Sequence, residues 1–156
     1  KDIKERKKAG VYDVKKLGFN YRMTDFQAAL GLDQIKKYKF NLKKRLINAK
    51  LYYKELNKNK DILIEKFSPN CSYFVFQIFL KNRQKLIKKF KKENIQYSIH
   101  YAKSLPSLEY YKKKYGLNQK NFKNSLLYAD LNISLPIYPK LTSQEIKKIC
   151  KVINEK

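Results

Sequence analysis

Three polar residues in a row, Asn20, Tyr21 and Arg22, stand just before a helix-start signal formed by Thr24 and Gln27. At that spacing the threonine hydroxyl accepts from an early free amide, and the glutamine reaches back to the threonine's own amide. Free amides and the positive end of the helix dipole suit such a place to an anion. A neutral Asn amide donates to phosphate oxygens, and an Arg fork pairs with a carboxylate or phosphate or forms a structural ion pair. The rest of the chemical inventory is thin. His100 is the only histidine, and neither a Ser/His/Asp nor a Cys/His site assembles around it. On composition it reads as a packed or hydrogen-bonded residue before it reads as a catalyst. The sequence holds no Gly-rich phosphate loop, no GxSxG elbow and no HExxH motif. Cys71 and Cys150 make neither a disulfide framework nor a metal cluster.

These residues need elements to hold them. Residues 24–57 read as one long helix, because Leu32, Ile35, Tyr38, Leu42, Leu46, Ala49, Tyr53 and Leu56 recur at steps of three or four. At ~1.5 Å per residue it is roughly 50 Å long. That exceeds a small domain's diameter, so the helix is expected to cross between domains or lie on a subunit interface. Gly31 inside it marks either a mild kink or a close backbone approach. Residues 61–66 (DILIEK), 73–80 (YFVFQIFL) and 95–101 (IQYSIHY) read as strands. In the last, Ile95, Tyr97 and Ile99 share one face and His100 takes the other. Residues 83–94 read as an amphipathic helix with Leu86, Ile87 and Phe90 inward. A short helix over 108–115 is stopped by Gly116, and 121–131 is helical. Residues 132–135 are extended, ahead of the helix-breaking Pro136 and Pro139. Thr142 with Glu145 then caps a closing helix that turns Ile146, Ile149, Cys150 and Ile153 inward. The expected class is α/β (α+β), a long N-terminal helix plus a small sheet covered by helices.

The 156 residues fit one domain or a piece of a larger protein, and the opening KDIKERKKAG reads as an excised part of a longer chain. At 43% apolar, with 13 Tyr and 9 Phe, the chain can bury a core. Lys and Arg total 37 against 13 Asp and Glu, a net charge of +24. That raises a polyanion-binding reading. The basic residues are mostly Lys and are spread over every predicted helix, whereas base readout favours Arg. The expectation is therefore a solvated basic surface with nucleic acid an unfavoured partner; a basic, non-enzymatic RNA-binding module is the rival. No apolar run approaches the ~20 residues of a membrane span. With no signal peptide and no disulfide pattern, the cytoplasm is the expected compartment.

The stretch GFNYRMTDFQAALGLDQIKK resembles the G-[YF]-N-Y-R-M-[TS]-D-x-Q-A-A-x-G signature of the DegT/StrS family of pyridoxal-phosphate-dependent nucleotide-sugar aminotransferases. Two further blocks follow in the family's order. SYFVFQIFLKNRQKLIKKFKKENIQYSIHY is similar to its strand, R-x-x-[LI] helix, Gly-Ile strand and His-Tyr motif, with Asn94 where the family usually has Gly. LYADLNISLPIYPKLTSQEI is similar to its S-L-P-[IL]-[YF]-P block. Pro106, in AKSLPSL, stands where a second family His often falls.

The resemblance implies the small C-terminal domain of a fold type I aminotransferase. Residues 1–23 would be a connector and cofactor-facing loop, 24–57 the interdomain or interface helix, and 58–156 the small α/β domain. It implies that Asn20 reaches the pyridoxal phosphate of a neighbouring subunit, hence a homodimer. Arg22, His100 and Tyr101 would contact a nucleotide-sugar substrate, with glutamate the expected amino donor. No metal is implied, and no catalytic residue is expected in this chain. The cofactor-binding lysine of the family lies upstream of its N-Y-R motif, so the chain alone is expected to be inactive. A relative of the family with another activity is the remaining alternative.

Overall fold

The computed structural model describes residues 16–19 and 21–155. Residues 1–15 and 20 of the expected connector and cofactor-facing loop over 1–23, the expected cofactor contact Asn20 among them, lie outside the described residues. By its contacts the chain divides into two compact units, Lys1–Lys36 and Lys37–Lys156.

Helix α1 runs Asp25–Leu56. It opens with the reciprocal cap expected from its sequence: the Gln27 amide donates to Thr24 Oγ1 at 3.3 Å and the Thr24 amide to Gln27 Oε1 at 3.0 Å. In the first unit, Phe26, Leu30, Leu32 and Ile35 are more than half exposed. From residue 46 onward the helix faces a core, burying Asn48, Ala49, Tyr52 and Leu56. The spacing had placed Tyr53 on the inward stripe in place of Tyr52. Tyr52 is fully buried, stacked on Phe76 at 4.7 Å. Tyr53 sits at the margin, edge-on to Phe67 and Phe76.

The second unit is built on two antiparallel strands, β1 (Phe76–Phe79) and β2 (Asn132–Leu135), in register from Phe76 opposite Leu135 to Phe79 opposite Asn132. The two other expected strands shrink to one bridge each, Leu63 to Phe79 and Ser98 to Ser134. The reasons lie in what each segment meets. One step along from Leu63, the Glu65 carbonyl is taken by the Tyr53 hydroxyl at 2.7 Å. One step from Ser134 is Pro136, which has no amide to offer. On the other side, the Asn132 amide already caps α4 through the Tyr128 carbonyl.

Four more helices belong to this unit: α2 (Arg83–Lys92), α3 (Glu109–Tyr115), α4 (Lys123–Leu131) and α5 (Ser143–Asn154). Helix α3 buries none of its residues. Helices α2 and α5 bury the stripes their spacing predicts, Leu86, Ile87 and Phe90 on one and Ile146, Ile149, Cys150 and Ile153 on the other. The α5 cap is reciprocal, and hydrogen bonds from Thr142 hold the Glu145 carboxyl below the usual carboxylate range. Helix α2 ends in a left-handed turn. Asn94 has φ 53°, and the Ile95 and Asn94 amides donate to the Phe90 and Lys91 carbonyls at 2.8 and 3.3 Å. That is the Schellman closure. It explains why glycine suits this position and why asparagine, which tolerates left-handed backbone, can replace it. Gly116 closes α3 with the same backbone twist, φ 58°.

Candidate active-site pocket

His100 is positioned by the chain on either side of it. Ile95, Tyr97 and Ile99 pack on the core, so alternation turns His100 the other way. Its Nδ1 lies 2.8 Å from the Ser134 hydroxyl on β2, and its Nε2 lies 3.4 Å from the Ser98 hydroxyl. Hydroxyls donate or accept, so this pair accommodates either imidazole tautomer. The His100 carbonyl accepts from Gln77 Nε2 at 2.6 Å. The next carbonyl, of Tyr101, accepts from Asn132 Nδ2 at 3.3 Å. Asn132 is fully buried and also donates to the Tyr128 and Ala129 carbonyls at 2.8 and 3.1 Å. Arg83 completes the junction: its Nη1 donates to the Ala129 and Asn132 carbonyls at 2.6 and 3.1 Å. The His100–Tyr101 backbone is thus tied to β1, β2 and the end of α4, while the Tyr101 ring remains 74% exposed.

Beside His100 opens a pocket of about 310 Å³, lined by Arg45, Phe74, Val75, Gln96, Tyr97, Ser98, His100, Ser134 and residues 135–138. Helix α1 forms one wall. Tyr52 and Asn48 lie one turn apart on one face of it and clamp the SLPIYP segment. The Tyr52 hydroxyl donates to the Pro136 carbonyl at 2.8 Å, and Asn48 Nδ2 donates to the Tyr138 carbonyl at 3.1 Å. Burial pushes the Tyr52 phenol well above its ordinary value, so it is a permanent donor. The pocket is an open, mainly apolar concavity with imidazole, hydroxyl and guanidinium groups among its lining. That is a surface for seating a ligand and orienting its polar groups.

The structure brings His100 and Tyr101 to one place. Arg22 lies exposed two residues before the α1 cap, in the first unit. Tyr21, read as a packing residue, is 87% exposed, with a ring contact to Phe19 at 5.6 Å. Sequence reading missed Arg45, Ser98, Ser134 and Gln77. Arg45 did carry a signal: it lies three and seven residues before Asn48 and Tyr52, so it is a charged residue on the core-facing side of the helix.

The fold is that of solved sugar aminotransferases. The structure superimposes on the sugar aminotransferase Spr1654 of Streptococcus pneumoniae in its PMP form with a TM-score of 0.81, at 24% identity, over 93% of this chain and 38% of that one. DesV of S. venezuelae, solved with a ketimine intermediate, matches with a TM-score of 0.85 at 18% identity, over 94% of this chain and 40% of that one. Residues 3–154 match the model of the DegT/DnrJ/EryC1/StrS aminotransferase family, and the chain belongs to that family. Among its relatives is the UDP-4-amino-4,6-dideoxy-N-acetyl-beta-L-altrosamine transaminase of Campylobacter jejuni, 28% identical over 86% of this chain and 37% of that protein. Another is the dTDP-4-amino-4,6-dideoxy-D-glucose transaminase of Escherichia coli, 27% identical over 87% of this chain and 38% of that protein. The chain thus spans less than two fifths of the length of these relatives.

Proposed function

We propose that this chain is the small C-terminal domain of a pyridoxal-phosphate-dependent aminotransferase that moves an amino group from glutamate onto a nucleotide-linked keto-sugar. The observation that carries the reading is the family match across nearly the whole chain, with the histidine of the family's His-Tyr pair lining a pocket. In this reading pyridoxal phosphate supplies the electron sink, and its covalent lysine belongs to the large domain of the whole enzyme. Asn20 and Arg22 serve the neighbouring subunit's cofactor and the substrate, which makes the enzyme a homodimer. His100 and Tyr101 orient the nucleotide sugar and do not move protons.

Residues 1–23 are the connector and cofactor-facing loop, residues 24–57 the helix that joins domains, and residues 58–156 the small domain. The exposed apolar side chains of the first unit, among them Leu17, Phe19, Met23, Phe26 and Leu30, support an interface there. The chain alone is inactive, and the enzyme works in the cytoplasm. Among the described residues no helix is long and apolar enough to cross a membrane.

The test is 2-oxoglutarate formation by the full-length protein with glutamate and a panel of nucleotide keto-sugars. Release that depends on one of the sugars is expected. Release independent of any sugar, or none at all from cofactor-loaded protein, overturns the reading.

One observation favours a second reading. A groove of about 960 Å³ between the ends of α1, α2 and α5 is lined by Lys58, Lys60, Lys81, Lys85 and Lys89 against Asp61 and Glu155. A polyanion-binding module would show steep loss of RNA affinity with salt in filter binding; a shallow slope with weak binding removes it.

A further inference from the structure

The face of α1 that meets the SLPIYP segment is a ladder of polar side chains. Tyr52 donates to the Pro136 carbonyl and Asn48, one turn earlier, to the Tyr138 carbonyl. Arg45 is the next rung, three residues before Asn48 on the same face. There the ladder has no acceptor. The Arg45 Nε is sealed from solvent and finds no hydrogen-bond partner among the described residues. The Arg45 side chain lines the 310 Å³ pocket, as do His100, Ser98 and Ser134. A shielded guanidinium edge without an acceptor is costly, and an oxyanion that offers two oxygens, a carboxylate or a phosphoryl group, is its natural complement. Two parallel hydrogen bonds from Nε and Nη would hold such a group, and whichever serine hydroxyl accepts from the His100 imidazole has its own O–H left to donate.

We propose that this pocket is a phosphoryl subsite in which Arg45 holds the diphosphate of a nucleotide ligand. The inference rests on the nucleotide-sugar reading above for the identity of the ligand, and on the orphaned Nε for the site. The sealed Nε–H without an acceptor is a liability in the free protein. Removing it therefore raises the melting temperature of the ligand-free protein while it removes the ligand's effect. A merely structural arginine behaves in the opposite way.

The test uses the full-length protein, with UDP and dTDP as probes in calorimetry and thermal melts, and inorganic phosphate and glutamate as separate arms. Arg45→Met keeps the aliphatic stem and loses the fork. Its expected nucleotide affinity is at least about tenfold weaker, its ligand-free melting temperature is higher, and the shift on adding nucleotide disappears. Arg45→Lys, a point charge without the fork, is expected to fall between. If Arg45→Met does not fold, Arg45→Lys carries the test alone. Nucleotide affinity within twofold of wild type in the folded variants overturns the subsite. So does a loss confined to glutamate. Amino transfer to a sugar with nucleotide affinity untouched by Arg45 sinks the subsite and leaves the enzyme. Nucleotide binding lost with Arg45 in a protein without transferase activity does the reverse.

Discussion

Arg83→Met isolates the junction that holds the His100–Tyr101 backbone. Arg83 Nη1 makes hydrogen bonds of 2.6 and 3.1 Å to the carbonyls of Ala129 and Asn132, where α4 ends and β2 begins. Both acceptor residues are buried, so water does not replace the lost donor. Methionine keeps most of the stem's packing, and the change therefore reads the two hydrogen bonds. A hydrogen bond to a charged group contributes ~1.5–3 kcal/mol. Arg83 is itself partly exposed, which places each bond at the low end. The expected loss is ~2–4 kcal/mol, read by urea denaturation of the full chain followed by far-UV circular dichroism. Lysine at the same place reaches one carbonyl and not two, so Arg83→Lys is expected to recover about half of that loss. The Asn132 side chain also holds the Tyr101 carbonyl at 3.3 Å, so the same variant is expected to weaken nucleotide binding in step with stability. A loss below ~0.5 kcal/mol, on the scale of an ordinary surface substitution, refutes the reasoning. So does full rescue by lysine.

Two further predictions concern the frame. Asn94, at φ 53°, sits where only left-handed backbone closes α2; Asn94→Gly is expected to stabilise the chain by a few tenths of a kcal/mol or more, and Asn94→Val to cost ~1–2 kcal/mol in the same urea experiment. Burial, with a smaller contribution from Glu55, pushes the Cys150 thiol up to about 12. Its native pKa thus lies above the unfolded value of ~8.5, so the folded state is disfavoured as pH rises from there towards 12, and unfolding free energy is expected to fall across that window. Native alkylation is accordingly expected at the exposed Cys71 and not at the buried Cys150, and equal labelling of the two refutes the burial.

The parts of this molecule legible in sequence are those fixed by local rules. The Thr24–Gln27 and Thr142–Glu145 boxes close as their spacing requires. The α5 stripe buries as written because a helix repeats every 3.6 residues whatever it meets. The orientation of His100 followed from alternation alone. What was not legible depends on partners far away in the chain. The strand over 61–66 fails because a tyrosine on α1 takes its carbonyl, and the strand over 95–101 fails partly because its neighbour carries Pro136. Tyr52 and Tyr53 are adjacent, and only the position of Phe76 and of the Pro136 carbonyl decides which points inward. The candidate site divides the same way. His100 and Tyr101 were found through a motif, while Ser134 and Gln77 reach His100 from other elements and leave no short-range pattern.

In the proposed reaction nitrogen leaves an amino acid and arrives on a nucleotide-linked sugar. The most direct measurement gives heavy-nitrogen glutamate and a panel of nucleotide keto-sugars to the full-length, cofactor-loaded protein and follows the label by mass spectrometry. The account predicts labelled amino-sugar in one-to-one proportion with 2-oxoglutarate, with His100→Asn raising KM more than it lowers kcat. Label that never reaches any sugar, from protein that is folded and holds its cofactor, contradicts it.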